Sequence, residues 1–262
     1  MCAKVSTIAL GLLFCQWHLL GGVQGLGEDY LVSGLLLSAG QLREKHLDRE
    51  ALDTYLHILE IAPDHFEALC GASYLYGEIG KRFKEKKQQR EFYEKALELA
   101  KRSFQQAPEH PESNLVMAWA YGGIALISES GEKVEAGKKV KKHIDLVLEN
   151  RPEDDRAWYI LANLNYTVGK ASFLQKAFAK LLFGGVPRNM TVEAAIEAYR
   201  KAVEIKPDYI LYRYELTRAL LREGSEEEAR QHLRRALQSE PLTEDDPALL
   251  EECQKLLRKL EN

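Results

Sequence analysis

The sequence predicts an all-α solenoid: about five antiparallel helix pairs, one inserted helix and a C-terminal capping helix. Three observations lead there. Five prolines, Pro63, Pro108, Pro152, Pro207 and Pro241, each follow a helical pattern in a similar setting, such as Leu59-Glu-Ile-Ala-Pro63-Asp and Val203-Glu-Ile-Lys-Pro207-Asp. Successive separations are 45, 44, 55 and 34 residues, the last a typical period of a two-helix repeat. Beyond residue 25 no segment shows the alternation of period two that a half-buried strand requires.

Counting back 12, 8 and 5 residues from each proline finds the packing positions of each second helix. They are Ala51, Tyr55 and Ile58; Ala96, Ala100 and Ser103; Val140, Ile144 and Val147; Ala195, Tyr199 and Ala202; Ala229, Leu233 and Ala236. This is the pattern of a tetratricopeptide-like repeat, in which small side chains let paired helices approach and larger ones fill the gap to the next pair. First helices are expected over Leu31–Leu42, Phe66–Ile79, Ser113–Ile127, Asp155–Val168 and Ile210–Arg222, each with apolar residues at helical spacing.

Three separations exceed 34, so the extra residues must extend helices or lie between them. In the largest insertion, Ser172–Phe183 reads as an additional amphipathic helix stopped by Gly184-Gly185. Asp245-Asp246-Pro247 starts the capping helix, with acids ahead of a first-turn proline, and the cap is expected over 245–261.

Residues 1–25 read as a signal peptide: Lys4, an apolar run from Ile8 to Cys15, and a Gly-rich exit with Val23 and Gly25 at the small-residue positions before a cut. The repeat domain then occupies 26–262, and export to the periplasm or medium is expected, with an uncleaved membrane anchor as the alternative. Export would place Cys70 and Cys253 in an oxidising compartment, where two separate helical thiols are expected. Asn165-Tyr-Thr and Asn189-Met-Thr match the glycosylation acceptor pattern.

With 36 Lys+Arg against 40 Asp+Glu, the net charge of −4 argues against a general nucleic-acid binder. The seven His lack ligand spacing, and Gly169-Lys-Ala-Ser172 has neither the upstream glycine nor the preceding strand of a phosphate loop. Acid runs such as Asp154-Asp155 and Glu226-Glu-Glu228 sit at expected helix starts, where the helix dipole favours them. The reading is therefore non-catalytic, with no cofactor and no metal.

What remains is a surface. In such arrays the first helices line a concave groove, and Trp119, Tyr159, Asn163, Tyr166, Tyr214 and Arg218 are the candidate residues there, able to hold an extended peptide or helix. The same aromatics equally suit inter-repeat core. Lys84 and Lys87, with Lys138 and Lys141 in the next repeat, form a candidate basic edge within the runs 81–90 and 133–142. Interspersed acids allow these to be ordinary solvated faces instead.

One resemblance sharpens the function. Phe173-Leu-Gln-Lys-Ala-Phe-Ala-Lys-Leu-Leu-Phe-Gly, Val186-Pro-Arg-Asn-Met-Thr-Val-Glu-Ala-Ala and Thr243-Glu-Asp-Asp before Leu256-Leu257 resemble stretches of the regulator of microtubule dynamics family. The resemblance implies a tetratricopeptide-like fold and, in the animal proteins, association with microtubules. Here Tyr214-Glu-Leu-Thr-Arg-Ala-Leu replaces the family's usual first-helix pattern, and the leader suggests an exported relative. The function expected is a scaffold or adaptor that binds a protein or peptide. The alternatives are a microtubule-associated regulator and a carrier of a small ligand in a closed pocket.

Overall fold

The computed structural model describes residues 27–172 and 189–261. The leader expected at 1–25, and the inserted helix from Phe173 onward, lie outside them. The described residues form eleven helices and no strand. They are α1 (27–44), α2 (Asp48–Ile61), α3 (Phe66–Gly80), α4 (Lys86–Gln106), α5 (Pro111–Ile127), α6 (Ser130–Asn150), α7 (Asp155–Gly169), α8 (Val192–Ile205), α9 (Ile210–Arg222), α10 (Glu226–Ala236) and α11 (Asp246–Glu261). Consecutive helices pack as hairpins, and α5 also touches both α3 and α7, so these first helices share one side of the stack.

All fifteen second-helix positions counted back from the prolines are buried. The four residues before Pro63, Pro108, Pro152 and Pro207 repeat one conformation: Ala62, Ala107, Arg151 and Lys206 have φ between −126° and −140° and ψ between 74° and 84°. A following proline disfavours the α region for the residue before it, so the same chemistry ends four helices the same way. Three of these prolines offer their carbonyl to a side chain six residues on: Asn114 Nδ2 at 2.7 Å, Trp158 Nε1 at 2.7 Å and Arg213 Nε at 2.6 Å. Helix starts are capped by His65, His110, Asp154 and Thr191, whose side chains accept backbone N–H groups. The fifth turn differs. Leu237 stays in the right-handed helical region, and the chain runs on through a loop to the cap.

The excess residues in the second and third repeats lengthen α4 and α6 to 21 residues each, against 14 in α2. Tyr93 of α4 and Ala136 of α6 form a small separate core with Ile124 and Ile127 at the end of α5. The main core is a strip in two stretches, one from α1 to α7 and one from α7 to α10, with Tyr159 and Leu161 packed against both. Helix α11 closes the far end, packing its Cys253 against Ile210, Leu233 and Ala236.

The two cysteines among the described residues form no disulfide with each other and are buried in different cores, Cys70 in the first stretch and Cys253 on the inner face of the cap. Asn165 is only 7% exposed and its Nδ2 points at the Ala194 carbonyl, 3.5 Å away, so the folded chain does not present it to a glycosyltransferase. Asn189 is exposed.

Candidate functional site

The expected groove residues separate into two groups. The first lines the interior. Tyr74 and Glu78 of α3, Leu115 and Trp119 of α5, Arg156, Tyr159 and Ile160 of α7, and Tyr209, Leu211 and Tyr212 at the start of α9 surround a cavity of about 20 Å³. That is room for about one water molecule. Tyr74 stacks on Trp119 with centroids 5.3 Å apart, Tyr159 stacks on Tyr212 at 5.0 Å, and Tyr209 meets Tyr212 edge-on at 4.5 Å. Gly77 makes the space for Trp119, since a Cβ there would lie 2.2 Å from the indole nitrogen. That nitrogen is buried without a hydrogen-bond partner among the described residues.

Apart from the Trp119 nitrogen, several polar groups of this wall and beside it pair with one another. Arg156 grips Glu112 through two bonds of 3.0 and 2.9 Å, and Arg151 adds a third contact. Burial alone would raise the Glu112 carboxyl, but the two guanidinium groups hold it below the ordinary carboxylate range. Tyr212 donates to Asp155 Oδ2 at 2.8 Å, and Tyr199 donates to Asn163 Oδ1 at 2.9 Å. Burial pushes the hydroxyls of Tyr159, Tyr209 and Tyr212 well above their ordinary value, so they stay neutral donors. Trp119, Tyr159 and Asn163 are thus occupied with holding repeats together, the inter-repeat role that the sequence left open beside the groove.

The second group faces outward. Arg218 of α9 is exposed, with its Cζ 6.0 Å from the Tyr166 ring and 5.9 Å from the Tyr214 ring. Lys170, which follows α7, lies 5.0 Å over Tyr166. Rings hold such cations by their quadrupole without removing them from water. Arg218 also binds both carboxylate oxygens of Glu215 at 3.0 Å through Nη1. Burial raises the Glu215 carboxyl, against the pull of Arg218 and Lys170. Sequence reasoning found Tyr166, Tyr214 and Arg218 but missed Lys170, whose position just past Gly169 marked it only as a helix end.

The basic edge is also divided. Lys81 and Arg82 do not extend α4; they sit in the turn between α3 and α4 and point into the assembly. Arg82 bonds Asp245 at 2.8 Å and Glu244 at 2.7 Å, and pairs closely with Asp48, while Lys81 bridges Glu78 at 2.7 Å and Asp245 at 3.0 Å. The loop before the cap thereby reaches back to the second repeat. Of the four edge lysines, Lys84 and Lys87 are exposed and carry no ion pair among the described residues. Lys138 is paired with Glu135 at 2.7 Å and Lys141 with Asp145 at 2.6 Å. Beside them Arg90 reaches Glu132 at 3.3 Å. The result is a mixed-charge face.

The regulator of microtubule dynamics protein 1-3 family model matches residues 35–261, nearly the whole described span. The chain belongs to the regulator of microtubule dynamics family. Regulator of microtubule dynamics protein 2 of Mus musculus is 24% identical to this family member over 235 residues, covering 89% of this chain and 57% of the mouse protein. Regulator of microtubule dynamics protein 1 of Caenorhabditis elegans is 26% identical over 152 residues, covering 57% of this chain and 67% of the worm protein. Against protein 3 of Rattus norvegicus, the match spans 70% of this chain and 40% of the rat protein. This family member therefore spans between about two fifths and two thirds of these relatives. A thermophilic tetratricopeptide protein of Thermus thermophilus superposes with a TM-score of 0.62 at 16% identity, covering 86% of this chain and 99% of that one, which fixes the fold as tetratricopeptide-like.

Among the described residues no group of three or more His, Cys, Asp or Glu is placed to hold a metal ion, and no helix is long and apolar enough to cross a membrane.

Proposed function

We propose that this chain is a non-catalytic protein-interaction scaffold that takes a partner segment on the outward face of its first helices, around Tyr166, Tyr214 and Arg218. One observation carries the reading. Arg218 is held between two half-buried rings and pairs with Glu215 through one nitrogen only, yet stays exposed, an arrangement that suits a contact with something outside the stack. The interior aromatics, by contrast, are consumed by packing, and the cavity they leave is too small for a carried ligand.

The names of its relatives support microtubule regulation as the process served. We propose this as the activity, tested by co-sedimentation of the full chain with polymerised tubulin. Binding that survives a Tyr166→Ala, Arg218→Gln double variant unchanged would overturn the assigned face. Cross-linking of a bound partner followed by peptide mapping gives a second reading, expected on α7 and α9 and inconsistent with the proposal if confined to the outer helices.

Export is a separate proposal, resting on the pattern in residues 1–25 alone. Fractionation of a tagged chain decides it. Recovery from periplasm or medium with Leu26 as the first residue would support export and remove tubulin as a partner. Cytosolic recovery with residues 1–25 retained would favour the microtubule reading instead.

A further inference from the structure

We propose that the face shared by α6, the end of α7 and α9 is a docking site for an acidic, extended peptide, with Lys170 and Arg218 as its principal cations. This deepens the scaffold reading, on which it rests, by naming the chemistry of the partner segment.

Three helices contribute charge of one sign to this face. Lys133 comes from α6, Lys170 from the residue after α7, and Arg218 and Arg222 from α9; all four are exposed. They lie close enough that burial, with the charges of Arg218, Arg222 and Lys133, pulls the Lys170 ammonium below its ordinary value despite the pull of Glu215. Like charges gathered in this way repel one another, and an arriving anion relieves that repulsion. Glu215 does not neutralise the set. It is turned inward, with its side chain 14% exposed, and both its oxygens are committed to one nitrogen of Arg218. Arg218 keeps Nε and Nη2 uncommitted to any hydrogen bond among the described residues, and those two donors form the edge of the guanidinium fork that matches a carboxylate.

The rings decide the class of partner. Tyr166 and Tyr214 flank the cations as half-buried flat surfaces, which give an extended peptide contact area between its acidic side chains. A nucleic acid, with a phosphate at every step, needs a long basic stripe. Here the cluster is short, Glu252 lies near Tyr214 at its border, and the whole chain carries −4.

The test uses the full chain and a fluorescein-labelled 12-residue peptide of alternating Glu and Gly with one central Tyr, against the same peptide with Gln for Glu and a 12-residue oligothymidylate. Fluorescence anisotropy is read at low and at physiological salt. The acidic peptide is expected to bind, to weaken severalfold on raising the salt, and to lose about tenfold in affinity in a Lys170→Gln, Arg218→Gln variant. A Lys84→Gln, Lys87→Gln variant is expected to change affinity by less than about twofold, since those exposed lysines flank neither the Tyr166 nor the Tyr214 ring. Circular dichroism confirms that each variant remains helical. Equal binding of the Gln peptide, equal or tighter binding of the oligothymidylate, or loss confined to the Lys84, Lys87 variant would each overturn the proposal. If the acidic peptide fails while partner cross-links still map to α7 and α9, this inference falls and the scaffold reading stands; if both fail, both fall.

Discussion

Arg82 and Asp245 are 163 residues apart in the chain and meet through Nε and Oδ1 at 2.8 Å. The contact joins the second repeat to the loop before the cap, so the solenoid is fastened across its own interior, where each repeat would otherwise touch only its neighbours. With Asp48, Glu244 and Lys81 the pair forms a network whose Arg82 and Asp245 side chains are 21% and 25% exposed.

Cutting that fastening should loosen the stack without unfolding the repeats. Arg82→Ala is expected to cost about 1–2 kcal/mol, between the values for exposed and fully buried pairs, and to lower the melting temperature by a few degrees. Small-angle scattering should show a larger radius of gyration. The Asp245 carboxyl lies below its ordinary value: burial opposes this, but Lys81 and Arg82 prevail. The contribution of Asp245 is therefore present above the usual carboxylate range and is lost as the pH falls through its folded value. An unchanged radius and melting temperature in Arg82→Ala would show that the clasp closes nothing.

Gly169 tests how closely α7 and α8 must approach. A Cβ there would stand 2.5 Å from the Val192 nitrogen and 2.6 Å from the Thr191 carbonyl carbon, backbone atoms that cannot rotate away. Gly169→Ala should therefore destabilise by roughly 2 kcal/mol or more, as overpacking does. Gly122, inside α5, has nothing within 4 Å of its missing Cβ, and Gly122→Ala should stabilise by up to about 1 kcal/mol through helix propensity. Urea midpoints of the two variants should move in opposite directions; movement in the same direction would refute the packing argument.

Cys70 and Cys253 should resist modification in the native chain. Burial pushes the Cys70 thiol up to about 12 and the Cys253 thiol up to about 11, so almost no thiolate exists at neutral pH. Brief N-ethylmaleimide treatment followed by peptide mass spectrometry should leave both unlabelled and label both after denaturation. Fast native labelling of either would mean that its core opens locally.

How much of this was visible beforehand follows from what each feature depends on. The proline turns and the small residues of second helices depend on local steric rules, so counting from Pro63 or Pro207 found buried positions without knowledge of the third dimension. The clasp depends on superhelical curvature, which sums small rotations over four repeats. Lys81, Arg82 and Asp245 therefore read as an ordinary basic run and an ordinary helix start. The groove was half legible for a related reason: a tyrosine on a first helix suits ligand or neighbouring repeat equally, and only curvature brought Tyr159 onto Tyr212 while leaving Tyr166 under Arg218.

Packing of α6 against α4 and α5 sets a pH response at His143. Its ring is 5% exposed on α6, bonded through Nδ1 to Asn114 Oδ1 at 2.8 Å, edge-on to Phe104 and near Tyr121. Burial, with Lys142 and Lys139 nearby, pulls its pKa down to about 4 from 6.5. The unfolded chain thus takes up a proton at this residue before the folded chain does. Stability is complete above pH 6.5 and falls as the pH drops from 6.5 toward 4, by about 2 kcal/mol at pH 5. His143→Gln keeps a hydrogen-bonding partner for Asn114 but cannot titrate, so its urea midpoint should change much less between pH 7.5 and 5. Equal pH slopes in variant and parent would show that His143 is not the group responsible.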